Sequence, residues 1–165
     1  MGVNLIVFGI GNILKMDDGI GIYLTKKLKS FIDKEEAKIY EIETEVWKIL
    51  PIIEEEKCKN VLIIDAINFG FTPGFVYISR NPEFSDYCFY SLHEKNYLTE
   101  LMVKKGDFFK NIYIFGVEPY KIDWGYTLSD MLKEKFDEIF QKLFKFYKLI
   151  LKKEIEYDLL RIKEH

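Results

Sequence analysis

This chain has little of several features that mark particular protein classes. Only two cysteines occur in 165 residues, and Cys58 and Cys88 form no Cys-x-x-Cys pair, so neither a disulfide framework nor a cysteine metal site is indicated. Positive charge is not in excess, because 24 Lys and Arg residues stand against 27 Asp and Glu residues. Since binding to a phosphate backbone depends on such an excess, nucleic acid is not an expected partner.

Long apolar runs are also absent. No stretch approaches the roughly 18 apolar residues that a membrane span needs, and no basic region precedes the first apolar run. We therefore expect a cytoplasmic protein that does not bind membranes. The length fits one domain over residues 1–165 with a single core, in which residues 152–165 form a charged C-terminal tail.

The strands and helices that are present alternate along the chain. Apolar runs at residues 5–8, 61–64 and 112–117 are typical of strands buried on both faces, and residues 38–43 also predict a strand. A strand at 75–79 is expected to be antiparallel at an edge, because no helix separates it from the strand before it. Helices are expected after the first and second strands, the second interrupted by Pro51, and at residues 94–105 and about 128–151. Thr127 and Asp130 resemble a capping box for the last helix. The pattern predicts an α/β protein with three layers, in which a mostly parallel, twisted five-stranded sheet carries helices on both faces.

The first strand runs into the most informative motif of the chain. Gly9-Ile10-Gly11-Asn12 forms a turn, and Asp17-Asp18 follow where the next helix should begin. The turn resembles a dinucleotide-binding fingerprint, with Glu43 near the ribose, but Leu14 stands where that fingerprint needs its third glycine. Carboxylates at a helix N-terminus also oppose an anionic pyrophosphate, so a cation suits this place better.

Three side chains could bind a cation at the carboxyl edge of the sheet. Asp18 follows the first strand, Asp65 ends the 61–64 strand, and His93 precedes the predicted 94–105 helix. Two carboxylates and one imidazole suit nickel, zinc or manganese, and leave coordination positions open for a partner. The alternative is that Asp17 or Asp18 is a helix N-cap, that Asp65 bonds a turn, and that His93 lies at the surface.

At these residues the chain resembles the hydrogenase maturation endopeptidases, which trim the C-terminus of the large subunit of nickel–iron hydrogenases. The resemblance covers most of residues 3–145. Its most specific part is the glycine turn with Asp17-Asp18-Gly19-Ile20-Gly21. Further matches are Asp65-Ala66-Ile67, Ser91-x-His93, Gly116-Val117-Glu118-Pro119 and Gly125-Tyr126-Thr127.

The resemblance implies a function and a set of site residues. Asp18, Asp65 and His93 are expected to bind metal, and Asp18 or Asp65 to act as the catalytic base. The metal is expected to be nickel that the precursor already holds, with zinc or cadmium able to replace it in crystals. The expected partner is the large-subunit precursor, bound by a monomer that carries no organic cofactor.

Some alternatives stay open at the level of sequence. Nickel could polarise the scissile carbonyl or activate a water, or it could serve only as a recognition mark for a metal-free carboxylate mechanism. The family's glycine-rich loop after the second strand is here Glu41-Ile42-Glu43-Thr44-Glu45-Val46, which keeps the threonine and lacks the glycines. The loop is expected to influence substrate choice. A non-catalytic maturation chaperone is the second interpretation, and a nucleotide-binding protein the third.

Overall fold

The computed structural model describes residues 3–82, 100–101 and 103–153. Its strands are β1 (Ile6–Ile10), β2 (Lys38–Glu43), β3 (Asn60–Ala66), β4 (Val76–Arg80) and β5 (Asn111–Val117). Its helices are α1 (Ile20–Lys29), α2 (Ile49–Glu56) and α3 (Asp130–Lys152), and 3-10 helices at Met16–Gly19 and Val46–Lys48 precede α1 and α2.

The five strands form one sheet in the order β2-β1-β3-β5-β4. β2, β1, β3 and β5 are parallel, whereas β4 pairs antiparallel with β5 at the edge. The connection from β3 to β4 is too short for a parallel crossover, which needs about a dozen residues or more, so the chain can only return antiparallel. The predicted α/β class and the antiparallel edge strand are both confirmed.

The core lies on both faces of this sheet, because successive residues of a strand point to opposite sides. Val7, Leu62 and Phe115 face α1 and α3. Phe8, Ile63 and Ile114 face α2 and the segment that contains Leu101 and Phe109. Helices therefore cover both faces, as the continuous apolar strands predicted.

Two helix features differ from the sequence-based expectation. The N-cap of α3 is Ser129, whose Oγ accepts the Leu132 N–H at 3.3 Å, so the predicted capping box at Thr127 is wrong. Serine and threonine are both favoured N-cap residues, so the local sequence did not show which of the two caps α3. Pro51 does not interrupt α2, because it lies in the first helical turn, where its missing N–H has no intrahelical acceptor.

The predicted 94–105 helix is described only in part. Residues 100, 101, 103 and 104 are helical, and the rest of the prediction lies outside the described residues or beyond the helix. Within the described part of the chain, no helix has the length and apolar character needed to cross a membrane.

Candidate active site

The chain leaves β1 through a tight turn at Gly11. A Cβ on this residue, whose φ is +141°, would lie 2.0 Å from the main-chain oxygen of Asp18. Only glycine avoids this clash, so the turn lets the chain fold back against the 3-10 helix Met16–Gly19. A dinucleotide-binding turn leaves this space open for a phosphate, whereas here the chain's own backbone fills it.

The start of α1 lies directly on the ends of two strands. A Cβ on Gly21 would be 2.2 Å from the carbonyl oxygen of Ile10 in β1 and 2.4 Å from that of Ile64 in β3. The 3-10 helix before α1 also contacts β3. Asp18 and Asp65 therefore lie on elements that meet at the carboxyl edge of the sheet. Their binding of a shared metal stays a prediction.

Asp18 is nearly buried in the turn before α1, with 8% of its surface exposed. Its Oδ2 accepts the Asn12 N–H at 2.9 Å. Burial raises the pKa of Asp18 above its ordinary value, while the Asn12 N–H and the charge of Lys15 act in the opposite direction. The charged form of this carboxylate is therefore costly in the protein alone, and an arriving cation would stabilise it.

Asp65 lies within β3 rather than after it. The residue is fully buried, and its Oδ1 accepts the N–H of Ala66 at 2.8 Å. Its Cα is paired with that of Gly116 in the neighbouring β5. Asp65 thus lies near the carboxyl end of β3, which is the central strand of the sheet.

Asp17 has a different role from its neighbour. The side chain is completely buried, and its carboxylate accepts four hydrogen bonds from residues more than a hundred positions later in the chain. The donors are Tyr120 N (3.0 Å), Lys121 N (2.9 Å), Ser129 N (2.7 Å) and Ser129 Oγ (2.7 Å). The N-cap hypothesis is wrong for both aspartates, because Gly19 is the N-cap of α1 and makes no side-chain cap bond.

Glu118 fixes the loop that follows β3. Its buried carboxylate accepts the N–H groups of Phe69 at 2.9 Å and Gly70 at 3.1 Å. Its main chain is bound as well, because its N–H donates to Phe75 and its carbonyl accepts from Gly74. Sequence reasoning gave no role to Glu118 or Ser129. The signals available were an acid directly after a buried strand and a serine just before a long helix.

The third predicted ligand, His93, lies outside the described residues, as does Cys88. Within residues 3–82, 100–101 and 103–153, no group of three His, Cys, Asp or Glu side chains could hold a metal ion. Asp18 and Asp65 supply carboxylate oxygens, which are hard donors, whereas the imidazole of His93 is the donor in the predicted set that favours nickel. The described residues thus provide two oxygen donors, and the complete set stays a prediction.

The segment at residues 41–46, where the resemblance implies a glycine-rich loop, begins in β2. Glu43 pairs with Ile10 next to a register shift in the β1–β2 ladder. Its φ is +55°, a left-handed conformation that glycine adopts more easily, and its carbonyl accepts the Gly11 N–H at 3.0 Å. The backbone shape suited to glycine is therefore present even though the side chain is glutamate.

Comparison with known proteins places the chain in a family. A family model described as hydrogenase maturation protease matches residues 22–146. A Methanocaldococcus jannaschii protein assigned to the hydrogenase maturation proteases is 31% identical over 146 residues, or 84% of this chain and 85% of that protein. The hydrogenase expression/formation protein HupD of Rhodobacter capsulatus is 25% identical over 81% of this chain and 66% of its own length.

Solved structures show the same fold. The hydrogenase maturating endopeptidase HybD of Escherichia coli superposes with a TM-score of 0.74 at 21% identity, over 88% of this chain and 93% of that one. The nickel–iron hydrogenase maturation protease HycI of Thermococcus kodakarensis gives 0.69 at 21% identity, over 92% and 94%. The family-model match covers most of the sequence and the fold agrees with it, so this chain belongs to the hydrogenase maturation protease family.

Proposed function

We propose that this chain is an endopeptidase that removes the C-terminal extension of a nickel–iron hydrogenase large-subunit precursor after nickel insertion. Membership of the maturation protease family supports peptide hydrolysis. The observation that carries the proposal is a pair of buried carboxylates, Asp18 and Asp65, on elements that meet at the carboxyl edge of the sheet. Ligands bind at this edge in open α/β sheets.

The nickel ion is part of the substrate in this proposal. Asp18, Asp65 and His93 contact the ion when the precursor docks, and zinc or cadmium can replace it at the same donors. A buried carboxylate is costly to keep charged, and a divalent cation offsets that cost. Precursor that carries nickel is therefore bound in preference to precursor that lacks it.

Hydrolysis needs a base and an acid at the scissile bond. Asp18 or Asp65 takes a proton from the attacking water, the water oxygen bonds to the carbonyl carbon, and the same proton passes to the leaving amine as the C–N bond breaks. Nickel next to the carbonyl oxygen would polarise it. If nickel only marks a mature precursor, the carboxylates carry out these steps without it.

The decisive experiment compares two forms of one precursor. Nickel-loaded and nickel-free large subunit are each mixed with the full chain, and the products are weighed by mass spectrometry. The nickel form loses its extension, whereas the nickel-free form stays intact, and free zinc added to the protease does not restore its cleavage. Asp18→Asn and Asp65→Asn abolish cleavage, while Asp33→Asn, an exposed acid beyond α1, serves as the matched control.

Two results would overturn the proposal. Equal cleavage of both precursor forms would show that the protein is a peptidase whose activity does not depend on nickel in the precursor. Tight binding of the nickel form without any cleavage would make it a maturation chaperone.

The proposal includes a chain that acts in the cytoplasm as a monomer. A single subunit supplies all three proposed nickel contacts, so none of them requires a second copy. Sedimentation of the purified chain at the concentration used for cleavage checks this, and a dimer that dissociates with loss of activity would contradict it.

A further inference from the structure

Large aromatic side chains are exposed on one short segment beside the site. Tyr120, Trp124 and Tyr126 are 59%, 75% and 82% exposed, and Leu14 next to them is 43% exposed. We refer to these four side chains as the aromatic face. A single exposed apolar residue needs no explanation, but several large ones on adjoining stretches of chain indicate an interaction site.

The backbone beneath the aromatic face is firmly held. Gly125 donates to the carbonyl of Leu14 at 2.9 Å and accepts the Met16 N–H at 3.2 Å. The Tyr23 hydroxyl donates to the carbonyl of Tyr126 at 3.0 Å. The carboxylate of Asp17 secures the N–H groups of residues 120 and 121. The side chains therefore project from a fixed frame, which lowers the entropy lost on binding a partner.

The same hydrogen bonds join the aromatic face to the proposed catalytic turn. Met16, which pairs with Gly125, lies two residues before Asp18. Lys15 Nζ lies 5.6 Å from the centroid of the Trp124 ring, and the Lys15 carbonyl accepts the Asp18 N–H at 3.2 Å. A substrate protein whose scissile bond lies at Asp18 would therefore also lie next to the segment that carries these rings.

We propose that the aromatic face is the surface on which the folded body of the hydrogenase large-subunit precursor docks. This inference rests on the proposed function. An enzyme that selects one protein needs binding energy away from the bond it cuts, and tryptophan and tyrosine supply much of the energy in protein interfaces. Lys15 and the exposed Lys121 place positive charge around the rings, and the exposed carboxylate of Asp123 adds one negative charge beside Trp124. The matching surface of the precursor is accordingly apolar, with carboxylates opposite the two lysines and a hydrogen-bond donor or a positive charge opposite Asp123.

The test separates binding from chemistry. KM and kcat are measured for nickel-loaded precursor with the wild-type chain, Trp124→Ala, Tyr126→Ala and Trp124→Phe. The alanine variants raise KM by about tenfold or more and change kcat by less than about twofold, because they remove contacts made before and during the reaction alike. Trp124→Phe restores most of the affinity, since it keeps an aromatic ring.

Phe31→Ala is the matched control. Phe31 is an exposed aromatic residue beyond the C-terminal end of α1, at the opposite edge of the sheet, and it contacts Phe140 and Phe144. Its replacement leaves KM unchanged. Thermal melting of each variant confirms that the compared proteins are folded at the assay temperature.

The possible failures point to different errors. If the wild type cuts nickel-loaded precursor and both alanine variants keep its KM, the docking surface is wrong and the function stands. If the wild type neither binds nor cuts the precursor, both fail. Loss of kcat at constant KM would place these rings in the chemistry instead. Trp124-dependent binding to phosphatidylserine vesicles with unchanged KM would identify a membrane as the occupant and overturn the proposal.

Discussion

Replacing Asp17 tests whether this residue has the structural role that its hydrogen bonds indicate, while the adjacent Asp18 has the proposed catalytic role. Asp17→Ala removes the acceptor of four hydrogen bonds in a fully buried place. Three of the donors are main-chain N–H groups that no side-chain rotation can move away. The variant therefore leaves these donors without their acceptor, and it removes two of the hydrogen bonds that join the segment carrying the aromatic face to the turn carrying Asp18, while the main-chain bonds of Gly125 remain.

The expected loss of stability is large. A hydrogen bond to a charged group contributes about 1.5–3 kcal/mol, and the bonds of one carboxylate are not additive, so Asp17→Ala should lower the free energy of unfolding by about 3–5 kcal/mol. For a chain of this size each kcal/mol corresponds to about 2–4 °C in melting temperature. A simple helix cap would contribute only about 1 kcal/mol.

Urea and thermal unfolding at neutral pH measure this difference. Asp18→Asn is the matched control, because it changes the adjacent residue, keeps an oxygen that can accept the Asn12 N–H, and removes a charge that burial disfavours. Its stability should equal or exceed that of the wild type while cleavage is lost. A loss of about 1 kcal/mol or less in Asp17→Ala would refute the structural role assigned to Asp17.

Three further predictions concern the frame around the site. Glu43→Gly should raise stability by about 0.5–1 kcal/mol in urea unfolding, because it relieves a side chain from a left-handed backbone conformation. Glu118→Ala should speed hydrogen exchange at the Phe69 and Gly70 amides, and unchanged exchange at both would contradict its role in holding that loop. Leu143→Ala, in the fully buried face of α3, should lower the free energy of unfolding by about 2–5 kcal/mol and leave the KM for the precursor unchanged.

Much of the architecture follows from local patterns in the sequence. The run around Val7 is apolar at every position, which only a strand covered on both faces can bury, and the structure places it inside the sheet. The short link before β4 excluded a parallel crossover and so predicted the antiparallel edge. The apolar character of a run and the length of a connection are both properties of consecutive residues, so a single sequence reveals them.

The hydrogen bonds of the candidate site could not be predicted from local patterns. Asp17 is paired with Ser129 across 112 positions, and nothing in the local sequence says which of two adjacent aspartates turns inward. The choice between Thr127 and Ser129 as the cap of α3 likewise depends on this contact, because Ser129 bonds Asp17 as well as its own helix. Hydrogen bonds between distant segments depend on how the layers pack, which local propensity does not encode.

The contact of Gly21 with the carbonyl groups of Ile10 and Ile64 means that the start of α1 touches main chain at this position, in addition to the side chains that pack along the rest of the helix. No side chain separates the helix from the two strands there. One methyl group at Gly21 would lift the start of α1, and with it Asp18, while Asp65 stays in β3. The distance between the two carboxylates could thus be adjusted from beneath the site by a residue that belongs to neither of them, which offers protein engineers a way to test the proposed nickel contacts without replacing Asp18 or Asp65.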